Sequence, residues 1–180
     1  MSAPARPSGP TPFWLGVGAL VILGSIGLVL WMGSGSGDRG RDLLLAILAD
    51  RASDALSLVE AGADLDTRVP AGEHTGKTAL MLAAQRNEQA LVQAMLERGA
   101  DPDASNGRGG TALMYAATDG HAEVVAELLG AGARPNLQAE NGWTALMLAT
   151  VKGHHGIIRA LVDAGADVDI ADVYRWTPLM

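Results

Sequence analysis

Thr78-Ala79-Leu80-Met81, Thr111-Ala112-Leu113-Met114, Thr144-Ala145-Leu146-Met147 and Thr177-Pro178-Leu179-Met180 begin 33 residues apart each time. A second ladder keeps the same step: Gly99-Ala100-Asp101, Gly132-Ala133-Arg134 and Gly165-Ala166-Asp167. Gly62-Ala63-Asp64 joins it after a four-residue insertion, because Gly62 and Gly99 are 37 apart. Two ladders in phase at a fixed period of this length specify stacked repeats, each of them one supersecondary unit.

The chemistry inside a unit is readable. Each Thr is placed to open a helix, its hydroxyl accepting from a free N–H of the first turn. Leu113, Ala116 and Ala117 follow at i, i+3 and i+4 and form an apolar stripe. Gly120-His121 and Gly153-His154 end the first helix, glycine taking the left-handed position. A second helix carries Val124, Val125, Leu128 and Leu129 on one face, and Gly132 stops it. Arg134-Pro135-Asn136 then leads into a turn before the next Thr. Two helices of about eight to ten residues cannot bury their faces alone, so every unit needs its neighbours.

These motifs resemble the ankyrin repeat family over residues 41–180. The units run at about 41–72, 73–105, 106–138 and 139–171, with an incomplete one at 172–180. The expected fold is an all-α repeat solenoid of helix–turn–helix units with hairpin loops, preceded by one N-terminal transmembrane helix. The resemblance implies an L-shaped unit, two antiparallel helices with a hairpin-like loop at right angles to them. Departures are visible. The family's T-P-L-H reads T-A-L-M in three units and T-P-L-M in the last, so Met81, Met114, Met147 and Met180 replace a histidine that usually bonds the Thr. Asn87-Glu88 stands for Gly-His in the second unit, and Arg175 stands where a hairpin glycine is expected. The first unit, Asp42 to Asp66, keeps Leu43, Ala46, Leu56, Leu58 and Val59 but lacks the T-x-L opening, as terminal units often do.

Composition narrows the chemistry. The chain has 13 Lys+Arg against 20 Asp+Glu, a net −7. Arg6 is the only charged side chain before Asp38, so the remainder carries −8. An acidic body repels polyphosphate, which argues against a nucleic-acid partner. Cysteine is absent, excluding disulfides, Cys-ligated zinc, iron–sulfur clusters and thiol catalysis. With 48% apolar residues but only 4% aromatic, the core must be built from Ala, Leu, Val and Met. Eleven Arg against two Lys, with abundant Ala and Gly, is compatible with a high-GC bacterial genome.

Ahead of the repeats, a short tail (residues 1–12) leads into an uncharged, apolar run at 13–32. As a helix it would rise roughly 30 Å, the thickness of the bilayer hydrocarbon. Phe13 and Trp14 stand at one end and Trp31 at the other, where amphipathic rings favour the headgroups. The run exceeds a signal-peptide core and leads into Gly33-Ser34-Gly35-Ser36-Gly37 without an A-x-A-like site, so an uncleaved anchor is favoured over a cleavable signal peptide. Cleavage stays the alternative, giving a secreted or periplasmic protein. Residues 33–40 read as a Gly/Ser linker reaching on the order of 15 Å. A short basic tail before a first span usually stays inside, which places the repeats on the non-cytoplasmic, periplasmic side of a single-pass membrane protein.

No catalytic constellation emerges. His121 and His154 share one repeat position and read as structural; His74 lies in the inserted loop and His155 at a helix start. His154-His155 point to different helix faces and would not chelate one ion. Gly107, Gly109 and Gly110 serve a hairpin, and Asp101, Asp103, Asp167 and Asp169 recur as turn residues rather than calcium ligands. No enzyme activity, cofactor, metal or small-molecule substrate is expected. A protein partner is. The function expected is a membrane-tethered adaptor or inhibitor, the alternative an envelope stress-related accessory protein.

The resemblance places recognition on the concave side, at the hairpin tips and the exposed faces of the first helices. The candidate contacts are Lys77, Arg108, Asn141, Trp143, Tyr174 and Trp176 on the tips, with Arg86, Asp119 and Lys152 on the helices. Trp143 and Trp176 occupy equivalent tips about 10 Å apart in a packed stack. They read either as an exposed anchor pair, since Trp is favoured at hot spots, or as rings packed on neighbouring hairpins. Tyr115 aligns with Leu82 and Leu148 and is expected to pack between repeats. Finally, the unit at Asp172–Met180 starts without its two helices. The sequence therefore predicts that the natural protein continues beyond Met180, or that the flank bearing Ile157, Ile158, Leu161 and Val162 docks onto something else.

Overall fold

Capping decides where the helices begin. Thr78, Thr111 and Thr144 each hold extended backbone, and each hydroxyl accepts from the N–H three residues on, at 3.4, 3.3 and 3.3 Å. The computed structural model describes residues 38–180, and among them the chain forms eight helices. They are paired: α1 (Arg39–Leu48) with α2 (Ala52–Glu60), α3 (Ala79–Gln85) with α4 (Gln89–Glu97), α5 (Ala112–Asp119) with α6 (Ala122–Gly130), and α7 (Ala145–Lys152) with α8 (His155–Asp163). The first helices pack in one row, α1 on α3 on α5 on α7, and the second helices in a parallel row. The apolar run at 13–32, and with it the expected spanning helix, lies outside the described residues. No described helix is long and apolar enough to cross a membrane.

The linker boundary needs correction. Arg39 and Gly40, expected within the flexible 33–40 segment, already belong to α1. Asp38 supplies the cap that the missing Thr motif would have given, its Oδ1 accepting from Arg41 N at 3.1 Å. Gly40 is buried, and a Cβ there would collide with Thr67 Oγ1.

Between the rows runs a core of Leu, Ala, Val and Met. Leu113, Ala116 and Ala117 are buried, as are Val124, Val125 and Leu128, while Leu129 is half-buried. Met81, Met114 and Met147 are buried too, at the position where the family places histidine. The helix ends follow the repeat even where the residue changes. Gly120 and Gly153 take left-handed conformations (φ 84° and 75°), and Asp50 and Asn87 do the same at φ 57° and 59°. Because a side chain strains that conformation, Asn87→Gly is expected to stabilise the fold by about 0.5 kcal/mol. A urea midpoint that falls instead would show that the Asn side chain compensates.

Histidines bridge units. His121 Nε2 lies 3.0 Å from Gln85 O and His154 Nε2 3.1 Å from Thr118 O. A carbonyl only accepts, so Nε2 carries the proton in both. Gly120 is required beneath: a Cβ there would sit 2.8 Å from His154 Cε1. At the far ends of the second helices, Arg98 Nη1 donates to Val59 O (2.8 Å) and Glu60 O (2.9 Å) of the preceding unit. Asp101 and Asp167 accept from the N–H two residues on, as turn residues do.

The hairpins locate the four-residue insertion. Asn106 N bonds Gly110 O, Ala139 N bonds Trp143 O and Asp172 N bonds Trp176 O, each spanning four residues; in the first hairpin Val69 N reaches Lys77 O, spanning eight. The extra residues thus lengthen the first loop and leave the stack untouched. Successive tips stack on their backbones, with Glu140 N to Arg108 O at 3.0 Å and Val173 N to Asn141 O at 3.2 Å. Arg175 fills the hairpin glycine's place with φ 67°. On α8, the expected apolar flank is only partly open, because Ile157 and Leu161 are buried on α7 and α6 whereas Val162 is exposed.

Candidate functional site

The last residue of each hairpin, just before the Thr, reads Lys77, Gly110, Trp143 and Trp176 down the stack. This residue folds back toward the first helices, so its size decides what stays open on the concave face. Lys77 fills its place. Its Nζ donates to Gln85 Oε1 at 2.7 Å, meets His74 Nδ1 at 3.3 Å and lies 4.2 Å from the Tyr115 ring centroid. An ammonium only donates, so His74 is neutral with its proton on Nε2. Burial lowers the basicity of both groups, their mutual repulsion lowers that of His74 further, and nearby Glu73 works against both shifts.

Gly110 has no side chain, and the space it leaves is a cavity of about 320 Å³. Met114, Tyr115 and Leu148 line it, with Trp143 from the next hairpin and Thr118. Arg108, Glu140 and Asn141 stand on the same groove, all three exposed. Asn106 organises the near wall: its Oδ1 accepts from Arg108 N and Gly110 N, both at 2.9 Å, while its Nδ2 donates to Tyr115 Oη at 2.7 Å. Burial raises the Tyr115 phenol above its ordinary range, opposed by that hydrogen bond.

Asp172 repeats the device two hairpins on, in the last of them. Its Oδ1 accepts from Tyr174 N and Trp176 N, and its Oδ2 from Trp143 Nε1 at 3.1 Å. Those bonds, the one from Trp176 N foremost, hold the carboxyl below its ordinary range. A second hollow of about 280 Å³ lies between Trp143 and Trp176, over Met147 and Val151.

The nine sequence candidates therefore separate. Arg108, Asn141 and Trp143 meet in the Gly110 groove. Trp143 is half-buried and bonded to Asp172, so it is wall and packing element at once. Trp176 is 65% exposed and lines the second hollow; Tyr174 is exposed on the tip. Arg86 and Asp119 lie close enough to act on the charge of Lys77, and Lys152 is exposed at the end of α7. Lys77 itself is not an open tip residue. It is 7% exposed, its ammonium turned onto Gln85 and the Tyr115 ring. Sequence reading missed the roles of Gly110 and Asn106; the Lys-Gly-Trp-Trp series was the available signal. Among the described residues, no group of three or more His, Cys, Asp or Glu is placed to hold a metal ion.

A family model for ankyrin repeats in three copies matches residues 43–139 and 113–180. The chain is an ankyrin repeat protein. Among curated proteins no sequence matches it. Ankyrin repeats generally mediate protein–protein interaction and are typically non-enzymatic, and the concave groove of this ankyrin protein has the anatomy such a role needs: an apolar floor, aromatic walls and a polar rim.

Proposed function

We propose that this ankyrin protein is a membrane-tethered interaction module, an adaptor or inhibitor, that holds a partner protein in its concave groove. The occupant is a segment of that partner carrying one bulky apolar side chain, which enters the cavity over Tyr115 and Leu148. The observation that carries the reading is the cavity itself, which exists because Gly110 stands where three other hairpins place Lys or Trp. Arg108, Glu140 and Asn141 then hydrogen-bond the flanking backbone and polar groups. Crosslinking in native membranes tests it, with a photoreactive residue at Thr118 in the groove and another at the outward-facing, exposed Ala126 of α6. One protein captured in stoichiometric amount from Thr118 only supports the proposal. Equal capture from both positions, or none, favours the alternative of an envelope stress-related accessory protein.

Tethering is the second half of the proposal, supported by the charge-free run at 13–32 bounded by Phe13, Trp14 and Trp31. Its orientation would put the repeats on the periplasmic side of a bacterial membrane. Alkaline carbonate is expected to leave the full-length chain in the membrane pellet. Release of a shorter soluble species beginning near Gly35 would replace the anchor with a cleaved signal peptide and a secreted protein.

A further inference from the structure

Glu88 stands 33 residues before His121 and 66 before His154, at the place where the later units carry their bridging imidazoles. Both of its carboxyl oxygens are buried and lack a hydrogen-bond partner. A buried carboxylate with no donor is strongly disfavoured. The repeat supplies the missing piece. His121 donates to the carbonyl of Gln85 and His154 to that of Thr118, each 36 residues back. Carried into the first unit across the four-residue insertion, the equivalent carbonyl is that of Leu48, the last residue of α1. The α1–α2 turn satisfies other carbonyls: Ala49 N, Asp50 N and Arg51 N bond Leu45 O, Ile47 O and Ala46 O. A carboxylate repels a carbonyl oxygen; a protonated carboxyl donates to it, as the imidazole N–H does.

We infer that Glu88 is a protonation-controlled clasp between the first two units, its protonated carboxyl donating to the Leu48 carbonyl and tying α1 and α2 to the rest of the stack. The surroundings favour this form. Burial raises the pKa of Glu88 above its ordinary range; Arg86 at the end of α3 opposes the shift, and Asp50 on the α1–α2 turn adds to it. Arg51 on the same turn is engaged with Asp54 of α2 at 3.1 Å, and His121, ahead of α6, is engaged with Gln85 O. A group whose folded pKa is raised lends its stability in full below its unfolded pKa, and that contribution is lost as pH rises through the folded value. The first unit is therefore held most firmly in acid and frays as the medium turns neutral.

Hydrogen exchange on the full chain in detergent micelles tests the clasp, comparing wild type with Glu88→Gln, whose amide donates at every pH. With the intrinsic base-catalysed rate divided out, the α1 and α2 amides of wild type are expected to exchange faster at pH 7 than at pH 4, by about tenfold for each unit of the raised pKa. In Glu88→Gln they should show no such rise. Glu88→His, which restores the residue of the other units, should match Glu88→Gln at pH 7. Identical pH dependence in wild type and Glu88→Gln would overturn the inference, as would a Glu88 carboxyl carbon signal that titrates in the ordinary glutamate range.

Discussion

Leu113→Ala is expected to lower the unfolding free energy by about 3–5 kcal/mol, the range for a fully buried Leu whose cavity cannot collapse. Leu113 is 2% exposed and lies on α5, which packs on α3 and α7 within its row and on α6 across it. In a repeat stack stability is a sum of unit terms and nearest-neighbour interfaces, so a cavity in a central first helix weakens two interfaces at once. Leu179 provides the contrast. It is 76% exposed, and its replacement by Ala should stay within about 0.5 kcal/mol. Urea unfolding of both variants measures the difference. A loss below about 1 kcal/mol for Leu113→Ala would mean that the neighbouring first helices close over the gap. A shallower slope, rather than a shifted midpoint, would mean the stack no longer unfolds as one unit.

The repeat was legible because its signals are local. A Thr cap, a glycine in the left-handed position and an apolar stripe are each set by residues within one turn of helix, and their recurrence every 33 residues multiplies the information. Where a local signal changed its residue, reading faltered. Asp38 caps α1 in place of Thr, and without the T-x-L motif the helix start looked like linker through Gly40. The site was harder for a different reason. Lys77 was expected at an open tip because its repeat position is shared with Trp143 and Trp176, yet whether a side chain in that place points outward depends on the loop that carries it and on what waits beneath. For Lys77 that is the Tyr115 ring, two sequence-distant groups brought together only by stacking. Gly110 carried even less signal. A hairpin glycine reads as a turn device, and the hollow it leaves is visible only when the neighbouring hairpin supplies the opposite wall. Glu88 is the reverse case: the substitution of His by Glu was plain in the sequence, but its burial without a partner was not.

Filling the hollow gives the sharpest test of the groove. Gly110 does not adopt a left-handed conformation, so its backbone accepts a side chain. The equivalent residues of the neighbouring hairpins are Lys77 and Trp143, so the stack already tolerates large groups there. A Cβ would meet Asn106 Nδ2 and Oδ1 at 3.3 Å and Tyr115 Oη at 3.4 Å, contacts a small shift of the amide relieves. Gly110→Trp should therefore leave the thermal midpoint within a few degrees of wild type, while the indole occupies the 320 Å³ that a partner's side chain would enter. If that side chain is the anchor of the interface, its exclusion removes about 2 kcal/mol or more, a loss of roughly thirtyfold in affinity for the protein captured from Thr118. Arg108→Ala, on the exposed rim, should cost about tenfold less than that, since solvated rim contacts contribute little. Should Gly110→Trp bind as tightly as wild type while folding normally, the anchor is elsewhere, and the hollow between Trp143 and Trp176 becomes the place to fill next. Should it fail to fold, Gly110→Leu carries the same argument with a smaller plug, because the cavity floor of Met114 and Leu148 accepts an aliphatic side chain without displacing Tyr115 from Asn106.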